Sequence, residues 1–352
     1  MMEPTTKDEL QHLIDNWKGL GIVLNDIDTT RIKNMSELFA NKTEFNEPIN
    51  KWRTQNVTNM RGMFRGATSF NQPIGSWNTC KVTDMTHMFS GTTSFNQPIG
   101  IWNTGKVTDM TRMFNAAVEF NQPIDQWNTG KVLDMTHMFS GAAKFNKPLG
   151  NWDTRSVTDM SGMFYNAPTF DQALNNWNTG NVEYMRSMFF NTTMFNQPLN
   201  NWNTEKVTNM SAMFWKTKAF NKQISRWDTG NVIDMSYMFS EAKSFNQPIG
   251  SWNTEKVTYM SNMFSHTSLF NQPLNWNTEN VTDMTAMFKA AASFLQRLKW
   301  SINNAADMSK MFEVSPVEII GIDISNNGYV EPKVTARAVK RVHELKGSQC
   351  LF

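Results

Sequence analysis

The sequence predicts an α/β repeat fold, a solenoid of about 12 helix–strand units of 25 residues with helical caps. Tryptophan recurs every 25 residues from Trp52 to Trp252, and self-similarity at such a period indicates a stacked array. Apolar residues within each copy have helical spacing. A proline follows them in most copies and would end the helix before a short extended segment.

Composition narrows the possible functions. A chain of 352 residues would ordinarily suggest about two or three domains, but a stacked array forms one continuous body. The net charge of +2 gives no indication of nucleic-acid binding, and no run of 18 apolar residues predicts membrane insertion. The polar N-terminus lacks signal-peptide features, so the chain as given is expected to be cytoplasmic, with the cell surface as the alternative.

Residues 1–26 are interpreted as an N-terminal helical cap. Leu10, Ile14 and Trp17 follow the three-to-four-residue spacing of an amphipathic helix over residues 6–20. Thr5 or Thr6 is expected to cap its start, and Gly19 and Gly21 its end. An array end exposes its core, so a helix with one apolar face is an expected lid.

Residues 27–312 form the predicted repeat array. Each copy is numbered here from its first methionine, and these methionines are Met35, Met60, Met85, Met110, Met135, Met160, Met185, Met210, Met235, Met260, Met284 and Met308. The first copy and the C-terminal end of the array depart from the repeat pattern, with Leu295 and Arg297 standing where asparagine and proline usually occur. Atypical terminal copies are typical of capped arrays.

Within a copy, the spacing predicts a helix and then a strand. Val57, Met60, Met63, Phe64 and Ala67 would fall within about 120° on one helical face. The threonine column that precedes this segment is expected to supply helix N-caps, as in the Thr54 copy. The asparagine after the later phenylalanine is expected to form a ladder, its amide bonding to the backbone of the next copy.

Residues 313–352 leave the repeat and are interpreted as a C-terminal cap. Val317, Ile319, Ile320, Ile322 and Ile324 predict one last strand. Residues 334–346 predict a basic helix. It is interpreted as a lid with a solvated face, and an anionic docking surface is the alternative.

The repeated motif Val-Thr-Asp-Met-Ser-x-Met-Phe-x-x-Ala-x-x-Phe-Asn-Gln-Pro-Ile-x-x-Trp-Asn-Thr resembles the BspA-like leucine-rich-repeat family, the bacterial surface protein 26-residue repeat type. The resemblance covers residues 27–312. It implies a leucine-rich-repeat-like solenoid, and family members are linked to adhesion on bacterial surfaces and also occur in protists and large DNA viruses. The chain as given shows no export signal or anchor, so it is expected to differ from the surface members in this respect.

Catalytic and metal sites are not predicted. The recurring Met-x-x-Met pairs fall on the apolar face with phenylalanine, so they are interpreted as core rather than copper ligands. His87 and His137 share a column but lie two copies apart, about 10 Å by strand spacing, which is too far for one zinc ion. The sequence therefore predicts no catalytic residue, no cofactor and no metal ligand, and the protein is not expected to be an enzyme.

The informative positions are those that vary between copies. The residue after Met-Phe is small or polar in most copies but is Tyr165, Phe190 and Trp215 in three consecutive ones. Met194 is expected on the same side, with Tyr237 farther along. Aromatic residues in register would form an apolar stripe, which typically marks an interaction site. Drift on a permissive surface, or a local lid over the row, is the alternative.

The sequence thus predicts a non-enzymatic protein-binding or scaffold repeat protein. A surface adhesin exported by an unrecognised route is the alternative, and a carbohydrate-active protein is a remote one. A protein partner is expected, without nucleic acid. The oligomeric state stays open.

Overall fold

The structure, a computed structural model, describes residues 2–323 and 329–334. The chain divides into two units, Met1–Asn181 and Val182–Phe352. The regular elements are helix α1 (Lys7–Leu20), a 3₁₀ helix (Leu24–Asp26) and strands β1 (Val317–Asp323) and β2 (Tyr329–Val334). All other described residues lie in turns, bends, isolated bridges and irregular segments.

Helix α1 confirms the amphipathic helix predicted at the N-terminus. The Thr6 side chain accepts a hydrogen bond from the Glu9 backbone N–H, and Gly21 ends the helix in the left-handed conformation. Leu10 and Ile14 are buried on its apolar face. The helix packs on the first copy, where Gln11 donates to the carbonyl of Leu38 and Asp15 pairs with Lys42 at 2.7 Å.

The prediction of twelve helix–strand units in a leucine-rich-repeat-like solenoid is wrong. Residues 27–312, all of them described, contain no α-helix and no extended strand. The physical reason is that two residues in the segment expected to be helical have positive φ. In the Met110 copy these are Arg112, at 53°, and Ala116, at 55°. An α-helix needs negative φ at every residue, so two left-handed residues four apart exclude it.

A chain of tight turns replaces the expected helix. In the Met60 copy, successive turns are closed by hydrogen bonds from Met63 N to Met60 O, Arg65 N to Gly62 O, and Ala67 N to Phe64 O. The left-handed Gly62 and Gly66 supply the positive φ that type II turns require at their third residue. Since each turn brings residues i and i+3 together, tight turns repeat apolar residues every three positions. This spacing resembles that of a helix.

Between these turn bonds, alternate backbone N–H groups bond to the following copy. Gly62 N donates to Thr86 O at 2.8 Å and Gly66 N to Ser90 O at 2.7 Å. Isolated parallel bridges mark the residue before each first methionine. In the first unit they link Asn34, Asn59, Asp84, Asp109, Asp134 and Asp159, and in the second Tyr184, Asn209, Asp234, Tyr259, Asp283 and Asp307. Within each unit the copies therefore stack in register, one parallel step of about 4.8 Å at a time.

The methionine, phenylalanine and tryptophan columns form the interior. Phe214 is fully buried, lies 4.1 Å from Phe220 in its own copy and stacks at 5.7 Å on Phe239 of the next. The Trp227 indole stacks on Trp252 at 6.3 Å and donates its Nε1–H to Leu199 O. Such contacts satisfy the one polar group of each indole while burying its rings.

Two polar columns connect successive copies within each unit. The threonines predicted as helix caps instead donate to the next copy, as Thr54 Oγ1 does to Asn78 O at 3.0 Å. The predicted asparagine ladder is confirmed: Asn121 Oδ1 accepts from Asn146 N at 3.0 Å. These asparagine side chains are half-buried or exposed rather than buried.

At the C-terminal end, β1 confirms the strand predicted there, and it pairs antiparallel with β2. The predicted position Ile324 and the predicted basic helix beyond residue 334 lie outside the described residues. Neither the lid role nor the anionic docking role of that helix is tested.

Candidate functional site

The left-handed turns carry a set of side chains outside the methionine, phenylalanine and tryptophan columns, some of them buried and others accessible to solvent. We call this surface the turn face and define it by the first, second, fifth and sixth residues after the first methionine of each copy. In the Met210 copy these are Ser211, Ala212, Trp215 and Lys216. The second and sixth residues have positive φ in every copy, so the backbone around them has the same conformation from copy to copy.

In the second unit the turn face carries an aromatic cluster, which we define as Phe190, Trp215 and Tyr237. The Phe190 and Trp215 ring centroids lie 4.9 Å apart with an interplanar angle of 90°. Tyr237, from the next copy, stacks on Trp215 at 4.7 Å and 25°. All three side chains are half-buried, so each ring keeps part of its surface accessible to solvent.

Two charged side chains border the cluster. Glu241 Oε1 accepts a hydrogen bond of 3.3 Å from Trp215 Nε1. Lys216 Nζ lies 5.6 Å from the Trp215 ring centroid, within cation–π range, and 3.7 Å from Glu241 Oε1. Trp215 thus contacts the Tyr237 ring, the Lys216 ammonium and the Glu241 carboxylate, and the two charged groups give the apolar surface a polar rim.

The other two predicted site residues are Tyr165 and Met194. Tyr165 belongs to the first unit, where its ring contacts the His137 imidazole edge-on at 6.1 Å. That imidazole occupies the space in which a Cβ on Gly162 would lie. Met194 is 58% exposed but lies outside the turn face, in the turn that Phe195 N closes onto Thr192 O. Within the second unit, the structure thus brings three of the five predicted residues into contact.

Sequence reasoning missed Lys216 and Glu241. Both occupy the sixth column of the turn face, which is Gly66, Gly91 and Gly141 in three other copies. The departure from glycine was a usable signal. A helix would place the sixth column away from Phe190 and Trp215, so the sequence pattern did not indicate it. The turns place this column beside them.

The carboxylates before each first methionine serve local structure. Asp84, Asp109 and Asp134 each accept the backbone N–H two residues later, at 2.9, 2.8 and 2.7 Å. Such bonds are typical of Asx turns. Among the described residues, no group of three or more His, Cys, Asp or Glu side chains is arranged to hold a metal ion. The part of the chain that was searched also contains no helix long and apolar enough to span a membrane.

The chain matches the model of a family described as "Mycoplasma protein of unknown function, DUF285". Four overlapping segments match it, at residues 8–125, 97–201, 190–298 and 219–319. Repeated matches along the chain are those of a repeat protein. Comparison with curated proteins gave no match, and comparison with solved structures gave none.

Proposed function

Because the chain belongs to the DUF285 family, whose description names no activity, we propose its role from its surface chemistry. The protein is a non-enzymatic repeat module that binds a protein partner through Phe190, Trp215 and Tyr237. The partner presents apolar side chains to the rings, with polar groups that meet Lys216 and Glu241. The observation that carries this proposal is the continuous ring contact from Phe190 to Tyr237 at a half-exposed surface.

The cluster has the properties of an interface anchor. Tyrosine and tryptophan are enriched among the residues that dominate binding energy, and an apolar centre with a polar rim is typical of protein interfaces. Ring contacts with Phe190 of the preceding copy and Tyr237 of the following copy restrict the Trp215 side chain before any partner binds. A pre-ordered side chain loses less conformational entropy on binding, which favours affinity.

The residues at equivalent positions in other copies support a role in binding, rather than in packing, for these rings. Four copies fill the fifth column of the turn face with serine, at Ser90, Ser140, Ser240 and Ser265. The turn therefore forms without an aromatic residue there. The resemblance to BspA-like repeats, whose members are linked to adhesion, is consistent with a binding role.

The test uses substitutions that other copies already contain. Phe190→Ser and Trp215→Ser install the serine of neighbouring copies, and Tyr237→Asn installs the residue of the Met260 copy at a positive φ that asparagine tolerates. The triple variant should fold, and cooperative thermal unfolding checks that it does. The matched control is Tyr184→Asp with Tyr259→Asp, which replaces two tyrosines 45% and 46% exposed outside the cluster.

Immobilised wild-type chain and both variants are incubated with lysate of the source cells, and captured proteins are quantified by mass spectrometry. We expect at least one protein captured by wild type and control to be lost from the triple variant. The proposal fails if the triple variant captures the same proteins as wild type, or if the control loses the same proteins.

A further inference from the structure

The turn face of the first unit carries a different chemistry from the aromatic cluster. We define a basic cluster there as Arg61, Arg65, His87 and Arg112, from three consecutive copies. His87 N donates to Thr111 O and Arg112 N to Thr136 O, both at 2.9 Å, which fixes the register of these copies. Arg61 and Arg112 are exposed, whereas Arg65 and His87 are half-buried.

The positive charges of the cluster are only partly neutralised. Arg65 pairs with Glu37 at 3.6 Å, but no ion pair among the described residues involves Arg61 or Arg112. Partial burial lowers the pKa of His87, and the charges of Arg112, Arg61 and Arg65 lower it further, whereas the Asp109 carboxylate raises it. The three guanidinium groups thus act together on one imidazole, and their joint effect on its pKa exceeds that of the Asp109 carboxylate.

We propose that the basic cluster docks an acidic segment of a protein partner, whose carboxylates pair with Arg61 and Arg112. These arginines are two copies apart, about 10 Å along the ladder. In an extended chain, side chains on the same face lie about 7 Å apart, and the long, flexible arginine and glutamate side chains can span the remaining distance of about 3 Å. Guanidinium groups bind carboxylates with two parallel hydrogen bonds, which are among the strongest that side chains form. The proposal does not depend on the aromatic cluster.

The surroundings favour a short acidic segment over a nucleic acid. Asp84 and Asp109 lie in two of these three copies and Asp134 lies in the next one, in bridged register, so a ligand that extends along the array meets more carboxylates than a short one. A long polyanion laid along these copies would meet that row of carboxylates, and like charges repel. The net charge of +2 also lacks the excess of basic residues typical of nucleic-acid-binding domains.

Binding is tested with the full chain and a fluorescein-labelled hexaglutamate peptide, by fluorescence anisotropy at low ionic strength. Arg61→Gln with Arg112→Gln should weaken binding about tenfold or more, because two charge-assisted contacts are lost. Arg226→Gln with Arg297→Gln removes the same charge from two exposed arginines outside the cluster and should change the affinity less than about twofold. Equal loss in both variants, or no binding by the wild type, would overturn the proposal.

Two further measurements test the role of charge and the class of partner. Arg61→Lys with Arg112→Lys keeps both charges but not the paired hydrogen bonds, so its affinity should lie between those of the wild type and the glutamine variant. A loss as large as in the glutamine variant contradicts a charge-based site. A single-stranded oligothymidylate with as many charges as the peptide tests the other class of partner. If it binds more tightly than hexaglutamate and depends on the same arginines, the acidic-segment assignment is wrong.

Discussion

Phe214 and Trp215 are adjacent in the chain but belong to two different regions of the molecule. Phe214 is fully buried in the ring stack of the interior, which nearly every copy repeats. Trp215 is half-buried on the turn face, at a position where most copies hold another residue type. The comparison teaches that shared columns stabilise the copies, whereas the turn face can change its chemistry without changing the backbone.

The two units show how far that change can go. Equivalent columns carry arginine and histidine in the first unit and aromatic rings in the second. Both sets lie on turns in which the same two positions have positive φ and the same backbone N–H groups bond to the following copy. A registered array of turns therefore supplies positions, and we propose that the side chains placed there determine which partners bind.

The largest expected effect separates the two regions at neighbouring residues. Phe214→Ala should lower the free energy of unfolding by about 3–5 kcal/mol, because a fully buried ring leaves a cavity. Trp215→Ser removes a larger side chain but should cost only about 1–2 kcal/mol, mainly from ring contacts at the surface. Urea unfolding of both variants provides the measurement. Equal losses would break the distinction between interior and turn face.

A smaller effect tests whether the asparagine ladder belongs with the shared interior. Asn121→Leu leaves the Asn146 N–H without its acceptor and should lower the free energy of unfolding by about 1–2 kcal/mol. Asn121→Asp keeps an acceptor oxygen in place and serves as the matched control, with an expected change below about 0.5 kcal/mol. If both variants unfold at the same urea concentration, the ladder bond contributes nothing measurable.

The sequence predicted features that depend on local chemistry or on the repeat period. The Thr6 cap and the glycine at residue 21 defined α1, and column comparison identified the buried methionine, phenylalanine and tryptophan residues. The helix in each copy was wrong because tight turns and helices both repeat apolar residues about every three positions. Gly62, Gly66 and Gly91, which have positive φ, were the signals of left-handed turns within that segment.

The site could be predicted only in part for the same reason. Phe190 and Trp215 share a column, so their proximity followed from the period alone. Tyr237 sits in a different column of the next copy, and its stacking on Trp215 depends on the turn geometry. The positions of Lys216 and Glu241 beside Trp215 likewise depend on the turn geometry. The repeat period does not give this geometry. It determines which residues share a column, but not which columns are neighbours.

The central claim is that left-handed turns, rather than helices, build each copy. Ala116 and Ala117 test it most directly, because Ala116 has a φ of 55° whereas Ala117 is a fully buried residue outside the positive-φ set. Ala116→Gly should leave the free energy of unfolding unchanged or raise it by up to about 1 kcal/mol, since glycine adopts positive φ without strain. Ala117→Gly should lower it by about 1 kcal/mol or more. Urea unfolding that shows a similar loss in both variants, as a helix would require, would contradict the account.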